Sequence, residues 1–299
     1  MTRTRLLGAL DLSLAAAIWG GLYVVSKAVM SVIPPWVLLD MRLALGAAAL
    51  GLILRVRGLR LPPLREQGAL AGVGFLGLTL SVGLQFVGTA LTTAATGALV
   101  TSASPAFIVL FAALWLGERL TAARLLALAS ATAGVAVIVW QPQARLSANV
   151  AGNLALIGAA VTWAAYTVLA KRASARWGAL AVTSAASAWA FLFALPAALV
   201  EARARHFALP QEPAVWAGVL YIGLVSTALA FYLWNRGFER LDANTGALFF
   251  FLQPLCGALL GHVFLGEALG WRLVVGGALI FLGAWLAARA PESAQEPAA

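Results

Sequence analysis

One stretch of this chain occurs twice, and the repetition restricts the folds open to it. From Thr96 it reads TGALVTSASPAFIVLFAALWLGERL, and from Thr245 it reads TGALFFFLQPLCGALLGHVFLGEAL. A single shift of 149 positions, without a gap, carries Thr96-Gly97-Ala98-Leu99 onto Thr245-Gly246-Ala247-Leu248 and Pro105 onto Pro254. The same shift carries Leu116-Gly117-Glu118 onto Leu265-Gly266-Glu267 and Gly134 onto Gly283. Each copy is an apolar run of about 20 residues with a proline near its middle, a Gly-Glu turn and a second apolar run. Each is therefore a candidate pair of membrane helices.

The remainder of the chain fits a bilayer and little else. With 62% hydrophobic residues, 10% charged residues and a mean hydropathy of +0.92, it has too little polar surface to cover a soluble globule of 299 residues. A net charge of +9 could suggest a nucleic-acid partner, but such a footprint needs Arg and Lys gathered on one exposed face. Here they lie in short loops between apolar runs, so no nucleic acid is expected. Cys256, the only cysteine, sits inside an apolar run and reads as a small packed residue; it allows neither a disulfide framework nor a Cys-based metal site.

Ten apolar runs are legible in order: Leu6–Ile33, Trp36–Leu54, Gly68–Gly88, Thr93–Trp115, Thr121–Trp140, Gly152–Ala170, Leu180–Val200, Val215–Trp234, Ala243–Phe264 and Leu269–Ala288. The first continues well past the small-residue site Ala15-Ala16-Ala17, so it reads as a span and not as a signal peptide. The polar linker opening at Gln141-Pro142-Gln143 divides the chain into five-helix units, 1–143 and 144–290, and the polar tail 291–299 is expected to be disordered. With the N-terminus cytoplasmic, fourteen of the 20 basic residues fall on the cytoplasmic side. The positive-inside rule thus places both termini in the cytoplasm.

Tryptophans follow the same layout. Trp36, Trp115, Trp140, Trp177, Trp216, Trp234, Trp271 and Trp285 fall at or near span ends, where an amphipathic ring suits the headgroup level. Trp19, Trp163 and Trp189 lie near the middle of theirs.

The first spans repeat too. A shift of 144 places Trp19 on Trp163 and Lys27 on Lys171, the only two lysines in the chain. Because each half has an odd number of spans, the second half enters the membrane upside down relative to the first. The expected fold is all-α and integral to the membrane, ten transmembrane helices in two inverted five-helix repeats. Halves so related can expose a central cavity to either side in turn. That is the architecture of a transporter.

The duplicated pattern of apolar helix, midspan proline, Leu-Gly-Glu and Gly-containing helix resembles the EamA-type repeat of the drug/metabolite transporter superfamily, from about residue 8 to residue 289. Within it the chain is most similar to the YddG-like amino-acid exporters of bacterial inner membranes. The resemblance implies a central cavity lined by the first, third, fourth, sixth, eighth and ninth helices, and export from the cytoplasm.

Several residues are candidates for that cavity. Pro105 and Pro254 each remove a backbone donor and free the carbonyl one turn back, at Thr101 and Phe250, which marks a kink and a candidate hinge. Gln253 and Ser104 adjoin these prolines. On the first helix Trp19, Tyr23 and Ser26 share one face, and on the sixth Trp163 and Thr167 repeat it with Tyr166 alongside. Aromatic bodies with polar handles suit a substrate that has an apolar body and a few hydrogen-bonding groups; buried packing aromatics are the competing reading. Thr79, Ser226 and Thr227 also lie at mid-depth but commonly bond their own helix. Lys27 and Lys171 either snorkel to opposite surfaces or serve as gates or partners of a substrate carboxylate. Asp40 and Arg42, two apart, face different sides of their helix.

Exclusions are equally informative. No carboxylate stands near the middle of a span, which argues against a proton relay and against a cationic substrate. Gly72, Gly74 and Gly77 spell G-x-G-x-x-G inside an apolar span, without the strand or distal acid of a dinucleotide site, and read as helix packing, as do Gly257 and Gly261. With only His206 and His262 there is no catalytic constellation and no metal cluster, so neither enzyme activity nor cofactor is expected. The partners implied are the lipid bilayer and a small-molecule substrate: amino acids, including aromatic ones, with drugs or other metabolites as the alternative. A membrane-embedded enzyme or a scaffold is the reading outside transport.

Overall fold

A computed structural model describes residues 3–91, 100–139, 150–265 and 271–289. Within them the chain forms ten helical spans. They are α1 (Arg3–Val29), α2 (Pro35–Val56), α3 (64–91), α4 (Ser104–Leu116), α5 (Ala122–Val139), α6 (Val150–Trp177), α7 (Ala179–Ala204), α8 (Pro213–Arg240), α9 (243–265) and α10 (Trp271–Arg289). By length and composition α1, α2, α3, α6, α7 and α8 are able to cross a bilayer, and α4, α5 and α10 contribute shorter apolar helices. The linker at Gln141-Pro142-Gln143, the tail, and the Gly266-Glu267 turn lie outside the described residues, as do the side chains of Tyr23, Lys27 and His262.

The packing has the symmetry that the repeats demand. α2 packs on α7 and α5 on α10; α1 packs on α8 and α9, while α6 packs on α3 and α4. Exchanging the halves, α1 with α6 through α5 with α10, maps this set onto itself. The contact of α5 with α10 shows the pseudo-two-fold at atomic level. A Cβ added at Gly134 would lie 2.5 Å from the Gly276 carbonyl oxygen, and one at Gly283 would lie 2.6 Å from that of Ala127. The shift of 149 relates 134 to 283 and 127 to 276, so these are one contact made twice. Between them the Ser130 hydroxyl donates to Leu279 O at 2.9 Å, again across 149 positions. Without apolar driving force between helices in lipid, such small-residue approach is what holds them together.

Four spans depart from regular helix. α3 and α8 each contain a π-helical segment, Phe75–Ser81 and Tyr221–Leu229, starting at equivalent sequences, Phe75-Leu76-Gly77-Leu78 and Tyr221-Ile222-Gly223-Leu224. Such segments widen a helix locally and concentrate at functional sites. α4 starts at Ser104 after a turn at Ser102 and Ala103, with Pro105 in its first turn. α9 begins as a short helix, Ala243–Ala247, tightens to a 3₁₀ turn over Leu248–Phe251 and resumes at Leu252, again just before its proline. The carbonyl freed by Pro105 is satisfied: Ser104 Oγ donates to Thr101 O at 2.7 Å. α4 ends at Gly117, whose φ of 68° lies in the left-handed region and turns Glu118 back toward the bundle.

Trp234 requires a correction. Expected at the headgroup level, it is fully buried, because α8 runs on to Arg240 and keeps the indole more than a turn inside the bundle.

The symmetric glycines carry a prediction. Gly283→Leu should lower the melting temperature of the detergent-solubilised protein, by the equivalent of about 1–3 kcal/mol for overpacking against rigid backbone. Gly51→Leu, where an added Cβ meets nothing within 4 Å, should leave it unchanged.

Candidate functional site

A cavity of about 240 Å³ lies between the two halves. α1 supplies Trp19, Leu22 and Ser26; α3 supplies Ser81, Val82, Gln85 and Phe86; α6 supplies Ala159, Ala160 and Trp163. Thr101 and Ser104 come from the α4 break, Phe231 from α8, and Phe250 and Gln253 from the irregular turn of α9. These are the six helices that the family resemblance implies. α2 adds two residues that were not anticipated, Pro35 and Arg42. Met30 lies in the turn joining α1 to α2 and Pro35 opens α2, so the cavity extends toward the end of the bundle opposite the N-terminus.

Toward the N-terminal end an aromatic floor closes it. Trp19 meets Trp163, Phe231 and Trp234, each with ring centroids 5.2 Å apart. Trp163 also meets Phe231 at 5.6 Å and Phe250 at 6.0 Å. Edge-to-face and tilted pairs of this kind add about 0.5–1.5 kcal/mol each beyond area burial, and they lock one another's rotamers. Trp19 is further oriented by its indole N–H, which donates to Ser226 O at 3.0 Å. The close approach of α1 to α9 beside Gln253 depends on Gly20, where a Cβ would stand 2.7 Å from Gln253 O.

Beneath the floor lies a polar clamp around the connection of α8 to α9. Lys171 on α6 donates to Phe238 O at 2.7 Å and also to Leu241 O, satisfying carbonyls at the C-terminus of α8. Glu118 accepts from the Ala243 and Asn244 N–H groups at 2.6 and 2.9 Å, satisfying the N-terminus of α9. Both contacts place charge where the helix dipole favours it. Asp242 caps α9 through Thr245 N at 2.7 Å and is paired with Arg124 at 3.2 Å and Arg5 at 3.9 Å. Asp11 on α1 holds Arg236 and Arg240, the latter at 2.7 Å. Glu239 accepts the Ala179 N–H at the start of α7. Helices α1, α5, α6 and α7 and the α4–α5 connection are thus tied to one hairpin.

The sequence candidates divide between wall and backing. Trp19, Thr101, Trp163 and Gln253 line the cavity. Thr79, Tyr166 and Ser226 stand behind it. The Thr79 hydroxyl donates to Ala190 O at 3.1 Å, and Tyr166 shares a buried network in which Asn235 Nδ2 donates to Tyr166 OH at 3.0 Å and to Thr183 Oγ1 at 2.8 Å. Pro105 and Pro254 sit at the two helix breaks, outside the lining. Lys171 is in the clamp, while the side chains of Tyr23 and Lys27 lie outside the described residues. Sequence reasoning missed Arg42 and Phe231 as wall residues. The available signal for Arg42 was a full charge in the interior of an apolar span, which lipid tolerates only where a function or a partner requires it.

The EamA-like transporter family matches residues 6–140 and again residues 150–289, and the chain belongs to it. It is therefore a multi-pass membrane transporter that handles a small-molecule substrate within a lipid environment. Among its relatives is a probable terminal-alkyne amino-acid exporter of Streptantibioticus cattleyicolor, 31% identical over 82% of this chain and 81% of the relative. An uncharacterised transporter of Bacillus subtilis, YetK, is 28% identical over 90% of this chain and 85% of its own. A crystal structure 26% identical in sequence superposes with a TM-score of 0.80, covering 94% of this chain and 96% of that one.

Glu118 gives the clamp a pH dependence. Burial pushes its carboxyl above the ordinary glutamate value and Asp242 adds to the rise, while the two backbone N–H groups and Lys171 oppose it. A raised folded-state value means that Glu118's contribution to stability is fully present below the unfolded value of about 4.3 and declines as pH rises through the folded one. Melting temperatures measured from about pH 4 to 8 should therefore fall more steeply with pH for the wild type than for Glu118→Gln. Parallel profiles would contradict this.

Proposed function

We propose that the protein exports small metabolites, amino acids with aromatic ones among them, from the cytoplasm across the inner membrane by alternating access. The observation that carries the reading is the cavity itself, a chamber of amino-acid size between inverted halves, walled by Trp19, Trp163, Phe231 and Phe250 and provided with a few polar groups. The Gln253 amide has no partner among the described residues and is available to a polar substrate group. Thr101 also lines the cavity, and the indole N–H of Trp163 has no partner among the described residues. Thr79, Tyr166 and Ser226 act as positioning residues behind this wall. The likeness to a probable terminal-alkyne amino-acid exporter supports an amino-acid cargo.

With the termini in the cytoplasm, as the loop charges argue, the cavity faces outward and the clamp is the closed inner gate. Cytoplasmic loading then requires the α8–α9 hairpin to leave Lys171, Glu118 and Asp11, with the breaks at Pro105 and Pro254 absorbing the bend.

Uptake of labelled phenylalanine, tryptophan and leucine into proteoliposomes, with and without a pH gradient, tests the reading. Saturable flux is expected for the wild type, surviving without the gradient. Trp163→Ala should raise KM by about tenfold or more, the scale for losing a buried indole from a binding wall. A folded wild type that moves none of the three, or a variant with unaltered flux, would overturn the amino-acid assignment.

A further inference from the structure

The guanidinium of Arg42 is the one full charge on the cavity wall among the described residues. Resting on the proposed transport role of this cavity, we infer that Arg42 is the receptor for the carboxylate of the cargo. The solute class is thereby acids and zwitterions, not amines.

Arg42 is 3% exposed, on α2 about 10 Å from the Pro35 end. Its Nε donates to Thr227 Oγ1 at 2.8 Å, and Thr227 gives its own hydrogen to Ile222 O at 2.7 Å within the π-helical segment of α8. The threonine is therefore fixed as an acceptor and fixes the guanidinium plane in turn. This leaves the two terminal nitrogens, the planar fork that matches a carboxylate bidentately. No described carboxylate pairs with Arg42. The described ion pairs lie elsewhere, and Asp40, two residues away and about 200° around the helix, makes none.

An arginine cannot shed its proton to escape burial, and an uncompensated buried charge is strongly unfavourable. The fold itself does not require this charge. The shift of 144 that superposes α1 on α6 also superposes the start of α2, Pro35, on the start of α7, Ala179, and it sets Ala186 against Arg42. The cation is therefore an addition to one half of a symmetric frame, placed where a solute stands. With no acid among the described wall residues, an ammonium group has only the oxygens of Gln85, Gln253, Thr101 or serine and the faces of the indoles to meet it. That suffices for a zwitterion whose carboxylate neutralises Arg42, while a solute that is only cationic is repelled.

The test uses purified full-length protein, with intrinsic tryptophan fluorescence reporting occupancy next to Trp19 and Trp163, and uptake measured in parallel. Phenylalanine, phenylacetate, phenylalaninamide, phenethylamine, chloride and phosphate are titrated against the wild type, Arg42→Lys and Arg42→Met. The expected result is binding of the two carboxylates, little or none of the amide and amine, and weakening of about tenfold or more in Arg42→Met. Arg42→Lys should recover part of the loss. Removing an unpaired buried charge should not lower the melting temperature of the unliganded protein, whereas a merely structural arginine would. If phenylacetate binds through Arg42 while no amino acid is transported, the carboxylate receptor stands and the amino-acid assignment falls. If the amide or amine binds as well as phenylalanine, if inorganic anions match the carboxylates, if nothing carboxylated binds, or if Arg42→Lys and a folded Arg42→Met bind phenylacetate unchanged, the inference is overturned.

Discussion

Helix ends that meet inside an apolar bundle leave backbone N–H and C=O groups with no water to turn to, and each must find a partner within the protein. The rest of this structure depends on how that demand is met where α8 gives way to α9. Lys171 satisfies carbonyls at the end of α8, Glu118 and Asp242 satisfy amides at the start of α9, and Asp11 holds Arg236 and Arg240 on the last turns of α8. Because these partners come from α6, α1 and the α4–α5 connection, satisfying one hairpin also closes one end of the bundle. On the proposed transport role the same requirement makes the clamp switchable, because water reaching those groups from the N-terminal side would take the place of Lys171 and Glu118.

Above the clamp the order of layers follows from cost. The ionic groups sit at the end, the aromatic floor of Trp19, Trp163, Phe231 and Trp234 lies over them, and the cavity opens beyond. The floor excludes water from the clamp and strengthens its electrostatics. It also offers a solute an apolar surface that costs little to desolvate. The π-helical segments of α3 and α8 serve this layer directly: Ser81 lines the cavity, and Thr227 holds Arg42.

Much of this was legible in the sequence because repetition is legible. The shift of 149 gave the pairing of the halves, and the contact of Gly134 with Gly276 and of Gly283 with Ala127 shows the same register in space. Trp19 and Trp163 could be placed on the cavity because they repeat at the middle of equivalent spans. Tyr166 and Ser226 share that depth yet stand behind the wall. Depth is fixed by position along a helix, but the face is fixed by packing against neighbours that a single sequence does not name. The π-helical segments leave no compositional signature, and they shift the facing of every residue beyond them. Trp234 was misplaced for a related reason, since α8 continues through a polar stretch, Asn235 to Arg240, whose arginines pair with the buried Asp11. Arg42 was visible as a residue, but its meaning rests on which groups do not surround it.

The central claim is that the clamp on the α8–α9 hairpin holds the cavity closed at the N-terminal end. Thiol accessibility from each side of the membrane tests it most directly, using Ser26→Cys on the cavity wall in a Cys256→Ala background. With the clamp intact, a membrane-impermeant thiol reagent should reach that position only from the side opposite the N-terminus. With Lys171→Met added, labelling from the N-terminal side should appear. Equal labelling from both sides before the lysine is changed, or no effect of changing it in folded protein, would contradict the account.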